Sequence, residues 1–397
     1  MENPDIPVRK PWRQQAITRC IALGLIAGVL TSFRLWWKPS LFPTLPLPDI
    51  QFDDVNVLTA VLLLALSGVV ISSKRMFASV AVLTLLCLMV LDQMKWQPWV
   101  YLYMIMLFPL VISARTSVIS FAYWQLVMSG VYLWSGVHKM NPNFVRLFIG
   151  EVSGTIDIQL NPEQGLVIVA GYAVGLLEAL AGVGLLFDKT RRSALCFVLV
   201  MHLAIIGYIG IHDRLQNNLV LVPWNVAMII FNFLLFIGQA PGFGGALRQL
   251  MNNVRSQLAQ VALLSAALVL VWIVPAFNLT GHVDHYLSFS LFSNKPSFFY
   301  VAIRDDQLEK IPSEIQKHSV PLAGMSGGKM IDIDLWAREE LGVPFYPETR
   351  TFQKVSDFFC ALGIEESGLV FLEIAKVGNE KKVTRFTCDK KPEPVSQ

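Results

Sequence analysis

The chain has 397 residues, of which 54% are hydrophobic and only 15% charged. A soluble domain carries roughly 25% charged residues, so this is the composition of a membrane protein. A net charge of +3 is too small to argue for a nucleic acid or another polyanion as partner.

In chain order, residues 1–15 form a basic N-terminal tail. The apolar run from Ile17 to Phe33 is too long for a signal peptide and lacks an Ala-x-Ala-like exit, so it reads as a first membrane span. A loop rich in Pro and Trp ends in Asp49, Asp53 and Asp54. Further spans are predicted at about Val55–Ile71, Phe77–Leu91, Pro98–Ser113 and Val118–Val137. Residues 141–164 form a loop whose apolar piece, Phe144 to Ile149, can lie along the interface. The remaining spans fall at about Gly165–Phe187, Ser193–Ile211, Leu219–Ile237 and Leu258–Phe277. Each is near the ~20 residues that cross an apolar core of ~30 Å. Gly171, Gly175, Ala179 and Gly182 recur every three or four residues, which suits close helix contact in lipid.

Beyond residue 278 the texture becomes polar. YLSFSLF and SFFYVAI read as strands, and Asp332–Leu341 and Thr351–Leu362 as helices. GLVFLEIAKV and KKVTRFTC read as a hairpin about Gly378-Asn379. The expected fold is therefore an all-α polytopic membrane bundle of about nine transmembrane helices (residues 16–278), followed by a small α+β extramembrane domain (279–397). Lys and Arg favour the loops on the N-terminal side, including Lys74, Arg75, Arg115, Lys189, Arg191 and Arg192. This predicts a cytoplasmic N-terminus and, after nine crossings, an extracytoplasmic C-terminal domain, in a bacterial inner membrane. Cys360 and Cys388 can pair if that compartment is oxidising.

Ionisable residues at membrane depth are costly and mark candidate sites. His138 and Lys139 end the fifth span. A lysine at a low-dielectric rim loses proton affinity and can act as a base; the plainer role is a snorkelling anchor. Glu178 and His202 sit mid-span and lie at similar depth if their helices pack antiparallel. They can relay protons or simply satisfy each other. Asp92, Gln93 and Gln97 surround a Trp-flanked turn, where a capped interfacial anchor is the plainer reading. Asn225 and Asn232 lie inside the eighth span, where amides glue helices. The two histidines of the spans have no metal-ligand spacing. There is no phosphate loop, GxSxG, HExxH or dinucleotide fingerprint.

The run SGVYLWSGVHKMNPNFV, residues 129–145, resembles the signature of the vitamin K-dependent γ-carboxylase-like family, also called the horizontally transferred transmembrane domain. DQMKWQPWVY, Glu178, His202 and PWNVAM look similar to further parts of that pattern. The resemblance implies a membrane enzyme acting on a reduced, vitamin K-like quinone, with Lys139 as the base and His138, His202 and Glu178 as its catalytic neighbours. Asp92, Gln93 and Asn225 would line the cofactor. In that family the deprotonated quinol takes up oxygen, and the strong base so formed removes a proton from a substrate glutamate, which captures CO2. Residues 279–397 are far shorter than the luminal region of true carboxylases. The alternative is a non-enzymatic scaffold or export and maturation factor in the lipid bilayer, binding a peptide or protein through its C-terminal domain. A transporter ranks last, because there is no inverted repeat.

Overall fold

A computed structural model describes residues 11–47, 54–112, 117–156, 161, 164–212, 218–238, 245, 248, 258–321, 327–377, 380–389 and 393–394. Helix α1 (Pro11–Thr31) and the short α2 (Phe33–Trp36) are followed by α3 (Val55–Ser72), α4 (Arg75–Leu91), α5 (Pro98–Ile112) and α6 (Ser117–Lys139). Then come α7 (Pro142–Ile156), α8 (Gly165–Gly184), α9 (Arg191–His212), α10 (Leu221–Phe236) and α11 (Leu258–Trp272). Among the described residues, five helices are long and apolar enough to cross a membrane, at Trp12–Thr31, Val55–Ser72, Gly165–Gly184, Arg191–Ile209 and Ala259–Thr280. The expectation of nine is thus met by five on length and composition. At 1.5 Å per residue, α4, α5 and α10 extend only about 23–26 Å. Helix α6 is long enough, but Gln125, Ser129, Ser135, His138 and Lys139 lower its hydropathy.

Helices α5 and α6 form the middle of the bundle. Helix α5 is apolar on all sides, and Trp99 through Leu107 are buried, the pattern of a helix surrounded by others. Its Pro109 has no N–H, so the Ile105 carbonyl loses its helical donor. The Tyr123 hydroxyl of α6 donates to that carbonyl at 3.2 Å, and the Trp124 indole donates to Met106 O at 2.8 Å.

Helices α6 and α8 pack most closely, through the small-residue stripe. A Cβ at Gly182 would meet Leu133 N at 2.6 Å and Ser129 O at 2.7 Å, and one at Gly136 would meet the backbone of Ala179 and Gly175. Backbone cannot swing aside as a side chain can. Gly182→Ala is expected to cost about 3 kcal/mol by overpacking. In thermal unfolding followed by Trp fluorescence, it should stand apart from Gly150→Ala, where a Cβ meets nothing within 4 Å.

The C-terminal domain is a six-stranded antiparallel sheet in the order β2-β3-β1-β4-β5-β6. The strands are β1 (Phe298–Arg304), β2 (Ser319–Pro321), β3 (Gly328–Asp332), β4 (Leu369–Val377), β5 (Glu380–Phe386) and β6 (Glu393–Pro394). A short helix α12 (Ser313–Gln316) precedes β2, and α13 (Ile333–Leu341) and α14 (Thr349–Cys360) lie between β3 and β4. SFFYVAI and both strands of the expected hairpin are present; its turn, Gly378-Asn379, lies outside the described residues. YLSFSLF is not a strand. Phe289 and Phe292 take left-handed backbone, with φ of 54° and 53°. Their side chains do not alternate, because Phe289 is drawn onto Tyr101 of the bundle, ring centroids 5.6 Å apart.

Helices α13 and α14 cover one face of the sheet and sit between it and the bundle. Ring contacts mark the stack. Phe371 meets Phe299 at 6.1 Å, Phe299 meets Phe352 at 4.7 Å, and Phe352 meets Phe345 at 5.7 Å. Phe345 then meets Phe42 at 6.0 Å, and Phe42 meets Trp336 at 4.5 Å. Phe42 belongs to the membrane part. The order is therefore bundle, helices, sheet, and the second face of the sheet points away from the bundle. A Cys360–Cys388 disulfide joins the end of α14 to the segment after β5.

Candidate functional site

Tyr132, Ser135 and Lys139 are three and seven residues apart, so they share one face of α6. That face meets α8, α9 and α10. Lys139 Nζ donates to Glu178 Oε2 of α8 at 2.6 Å and to Ser135 Oγ at 2.8 Å. Glu178 and His202 are both buried. The close α6–α8 approach brings amine and carboxylate together, since Gly175 lets the Lys139 Cβ pass close to the α8 backbone.

His202 has different partners. Its Nδ1 lies 2.7 Å from Asn225 Oδ1, and its Nε2 lies 2.7 Å from the Tyr132 hydroxyl. The Asn225 amide nitrogen donates to Leu221 O at 2.7 Å, which fixes Oδ1 as the acceptor facing the ring. Nδ1 therefore carries the proton, and Tyr132 donates to Nε2. Asn232 Nδ2 in turn donates to the Tyr132 oxygen at 2.6 Å and to Met228 O. The result is a one-way hydrogen-bonded chain from Asn232 through Tyr132 and His202 to Asn225, around a neutral imidazole. It starts at Asn232, whose Oδ1 is buried and has no donor among the described residues.

The expected Glu178–His202 pair is thus replaced by two neighbouring arrangements, Lys139–Glu178 and Tyr132–His202–Asn225. Tyr132 was not singled out in the sequence; the signal was its position seven residues before Lys139. His138 and Lys139 do not act as one unit. Consecutive helical residues point about 100° apart, and His138 turns to the C-terminal domain. There Lys295 Nζ lies 3.2 Å from its Nδ1, and Trp134 lies against its ring at 5.8 Å.

Asp92 and Gln93 lie at the join between bundle and C-terminal domain. Asp92 accepts from Lys95 Nζ at 2.7 Å, from Met94 N at 3.1 Å and from Leu45 N at 3.3 Å. Gln93 donates to Leu45 O and accepts from Arg350. Gln97 donates to Pro344 O at 3.0 Å. These side chains anchor the turn and the domain, and among the described residues no metal-ligating cluster forms.

The same join carries the shifted titrations. Arg350 forks onto Asp284, which also accepts from the Tyr346 hydroxyl at 2.5 Å. Burial opposes the Asp284 carboxylate, but these donors outweigh it and hold its pKa low. Glu348 accepts from His285 N at 2.8 Å. Burial, reinforced by the charge of Asp284, pushes Glu348 up to about 7. Burial and then the charge of Lys295 push His285 down to about 4. A raised Glu348 lowers stability as pH climbs from its unfolded value through 7. A depressed His285 lowers stability as pH falls from its unfolded value through 4. Between these limits the two slopes oppose each other. Glu348→Gln leaves the His285 slope alone, so its melting temperature should fall on acidification from about pH 6.5 to 4.5 more steeply than that of the wild type.

Comparison with known families addresses residues 116–217, which match the family model described as methylamine utilisation protein MauE. The matched stretch holds α6 to α9, and with them Tyr132, Lys139, Glu178 and His202. This overturns the resemblance to the vitamin K-dependent γ-carboxylase-like family, because the run that carried it, residues 129–145, lies inside the MauE match. Carboxylase chemistry at Lys139, with the quinol it implied, loses that footing. No curated protein and no solved structure matches the chain. Over α6 to α9, the chain is similar to the MauE family of membrane proteins.

Proposed function

We propose that this chain is a membrane-embedded accessory factor, a scaffold or maturation factor, which holds a protein partner on its C-terminal domain. The match over α6 to α9 puts methylamine utilisation forward as the setting. The observation that carries the reading is the face of the sheet turned away from α13 and α14. The register places Tyr300, Ala302, Val370, Leu372, Ile374, Met330, Val320 and Val383 on one side, together with the charged Arg304, Asp332 and Arg385. That side is opposite the helix-facing Phe299, Val301, Ile303, Ile331 and Phe371. A sheet in water usually pairs an apolar face with a polar one. Here the second face also carries an apolar run, half-buried at Leu372 and Ile374 and exposed at Val320, and it points away from the bilayer, so lipid of the same membrane cannot cover it. A contiguous apolar patch of this kind marks a protein-binding surface.

The paired residues of the membrane part fit the same reading. Lys139, Glu178, His202 and Asn225 bind one another across four helices, as a packing lock does. In this reading the three shorter apolar helices and α6 also lie in the bilayer, giving nine crossings. The N-terminus is cytoplasmic and the sheet extracytoplasmic, in keeping with the disulfide. A C-terminal alkaline phosphatase fusion should then be active, and a green fluorescent protein fusion dark; the reverse pattern would reject this orientation.

The test of function uses the full chain with a photo-crosslinking residue at Leu372 or Ile374, and at exposed Lys189 as control. The expected result is one protein cross-linked at both sheet positions and not at position 189. In the Leu372→Glu/Ile374→Glu variant, with unchanged melting temperature, both the cross-link and the accumulation of mature partner should be lost. Normal partner maturation in that folded variant would reject the reading.

A further inference from the structure

A cleft of about 180 Å³ opens at the seam between bundle and C-terminal domain. Its lower wall is the first turn of α5, with Gln97, Pro98 and Trp99, and the first turns of α10, with Asn218, Leu221 and Trp224. Its upper wall is the loop from Ser290 to Pro296, together with Arg338 and Pro344. We infer that this cleft binds the phosphate headgroup and first chain carbons of a phospholipid from the surrounding bilayer.

Four observations carry the inference. First, the lining is divided. Trp99, Leu221, Trp224 and Phe292 give an apolar side; Gln97, Asn218, Ser293, Asn294 and Arg338 give a polar side. Tryptophan and a long apolar side chain at the end of a membrane helix sit at headgroup level. Second, no carboxylate lines the cleft, and the N-terminal ends of α5 and α10 converge on it. Both are full helices of 15 and 16 residues, and such ends favour anions.

Third, the guanidinium is poised. Asp334 takes Arg338 Nε at 2.7 Å, and among the described residues the two terminal nitrogens have no hydrogen bond. That leaves the edge of the fork that grips phosphate. Fourth, Asn218 is only 6% exposed, yet among the described residues its side-chain amide has no partner. Its polar atoms are not cut off from solvent, so a molecule in the cleft can reach them. The amide lines the cleft and is met by a ligand oxygen. Gln97, more buried still, spends its Nε2 on Met94 O and Pro344 O, so its carbonyl oxygen is the group left for a headgroup hydroxyl.

The path for the chains is also visible. A second cleft, of about 310 Å³, shares Arg338 and continues past Leu30, Phe33 and Leu219. These three are 57%, 46% and 48% exposed, as side chains in contact with lipid are. Its carboxylates are engaged elsewhere: Glu340 with Arg34 at 3.6 Å and Glu339 with His318 at 2.6 Å.

The test uses the full-length protein in neutral detergent, titrated with dioctanoyl phosphatidylglycerol, with glycerol 3-phosphate and inorganic phosphate as chain-free probes. The expected result is a saturable rise in melting temperature with the lipid and none with either free phosphate at equal concentration. Arg338→Gln and Asn218→Leu should each weaken the lipid effect about tenfold, the loss of one charge-assisted or one buried hydrogen bond. Lys189→Gln, on the α8–α9 turn, should bind as the wild type does. Asn218→Leu keeps the volume and removes no internal hydrogen bond, so it folds whatever the fate of Arg338→Gln. An unsaturable lipid effect, equal response to free phosphate, or unchanged affinity in Asn218→Leu would each overturn the assignment.

Discussion

Lys139→Met should destabilise the protein by about 3–5 kcal/mol, because it leaves the Glu178 carboxylate in the bundle without its cation. The pair is close, at 2.6 Å, and both side chains are largely out of solvent. The double variant Lys139→Met/Glu178→Leu should recover most of the loss, since a packed apolar pair of similar volume replaces a buried ion pair at little cost. Unfolding in a mild-to-harsh detergent titration reads both. The comparison bears on function. In a packing lock, the double variant regains partner maturation along with its stability. A double variant that is stable yet inactive would give Lys139 or Glu178 a chemical task and count against the scaffold reading.

The second large effect is expected at the disulfide. Cys360 and Cys388 are 28 residues apart, and closing a loop of that length stabilises a folded domain by about 3–4 kcal/mol in the chain-entropy account. Cys360→Ser should lower the unfolding free energy of the C-terminal domain by that amount, read as a lower denaturant midpoint at unchanged slope, and leave the bundle transition in place. Reducing agent should produce the same shift in the wild type and none in the variant. The bridge ties the helix layer to the far side of the sheet, so its loss should also weaken cross-linking at Leu372.

How much of this could be read from the sequence differs by element. The stripe Gly171, Gly175, Ala179, Gly182 was legible because small residues at helical spacing have few other uses in lipid, and α8 does pack there on α6. Cys360 and Cys388 were legible as the cysteines able to pair, being the two in the polar region, but whether they do so hung on the compartment, which the sequence did not settle. The partner of Glu178 was not legible. Two buried polar groups, His202 and Lys139, lay in reach, and the choice depends on the rotation of α6, which spacing alone does not give. YLSFSLF was misread because β-prone residues were counted without the bundle beneath them, which pulls Phe289 out of alternation. Strands β2 and β3 escaped because Ser319–Pro321 and Gly328–Asp332 are short and carry little alternation. Of the two readings of the turn at Asp92, cofactor lining and capped anchor, the second agrees with Asp92 accepting from Met94 N, and only the folded chain shows Arg350 and Pro344 of the C-terminal domain bound there.

The aromatic stack from Phe371 to Trp336 has a mechanical consequence. A domain on a slack tether samples many heights and tilts above a membrane, whereas this one is seated on Phe42, whose ring meets both Phe345 and Trp336. On the proposed function, a partner resting on the sheet would be held at a set standoff from the bilayer. The chain would then work as a ruler as well as a platform. A partner with its own membrane anchor would need a stalk matched to that height, and lengthening or shortening that stalk would disengage it without touching a single contact residue.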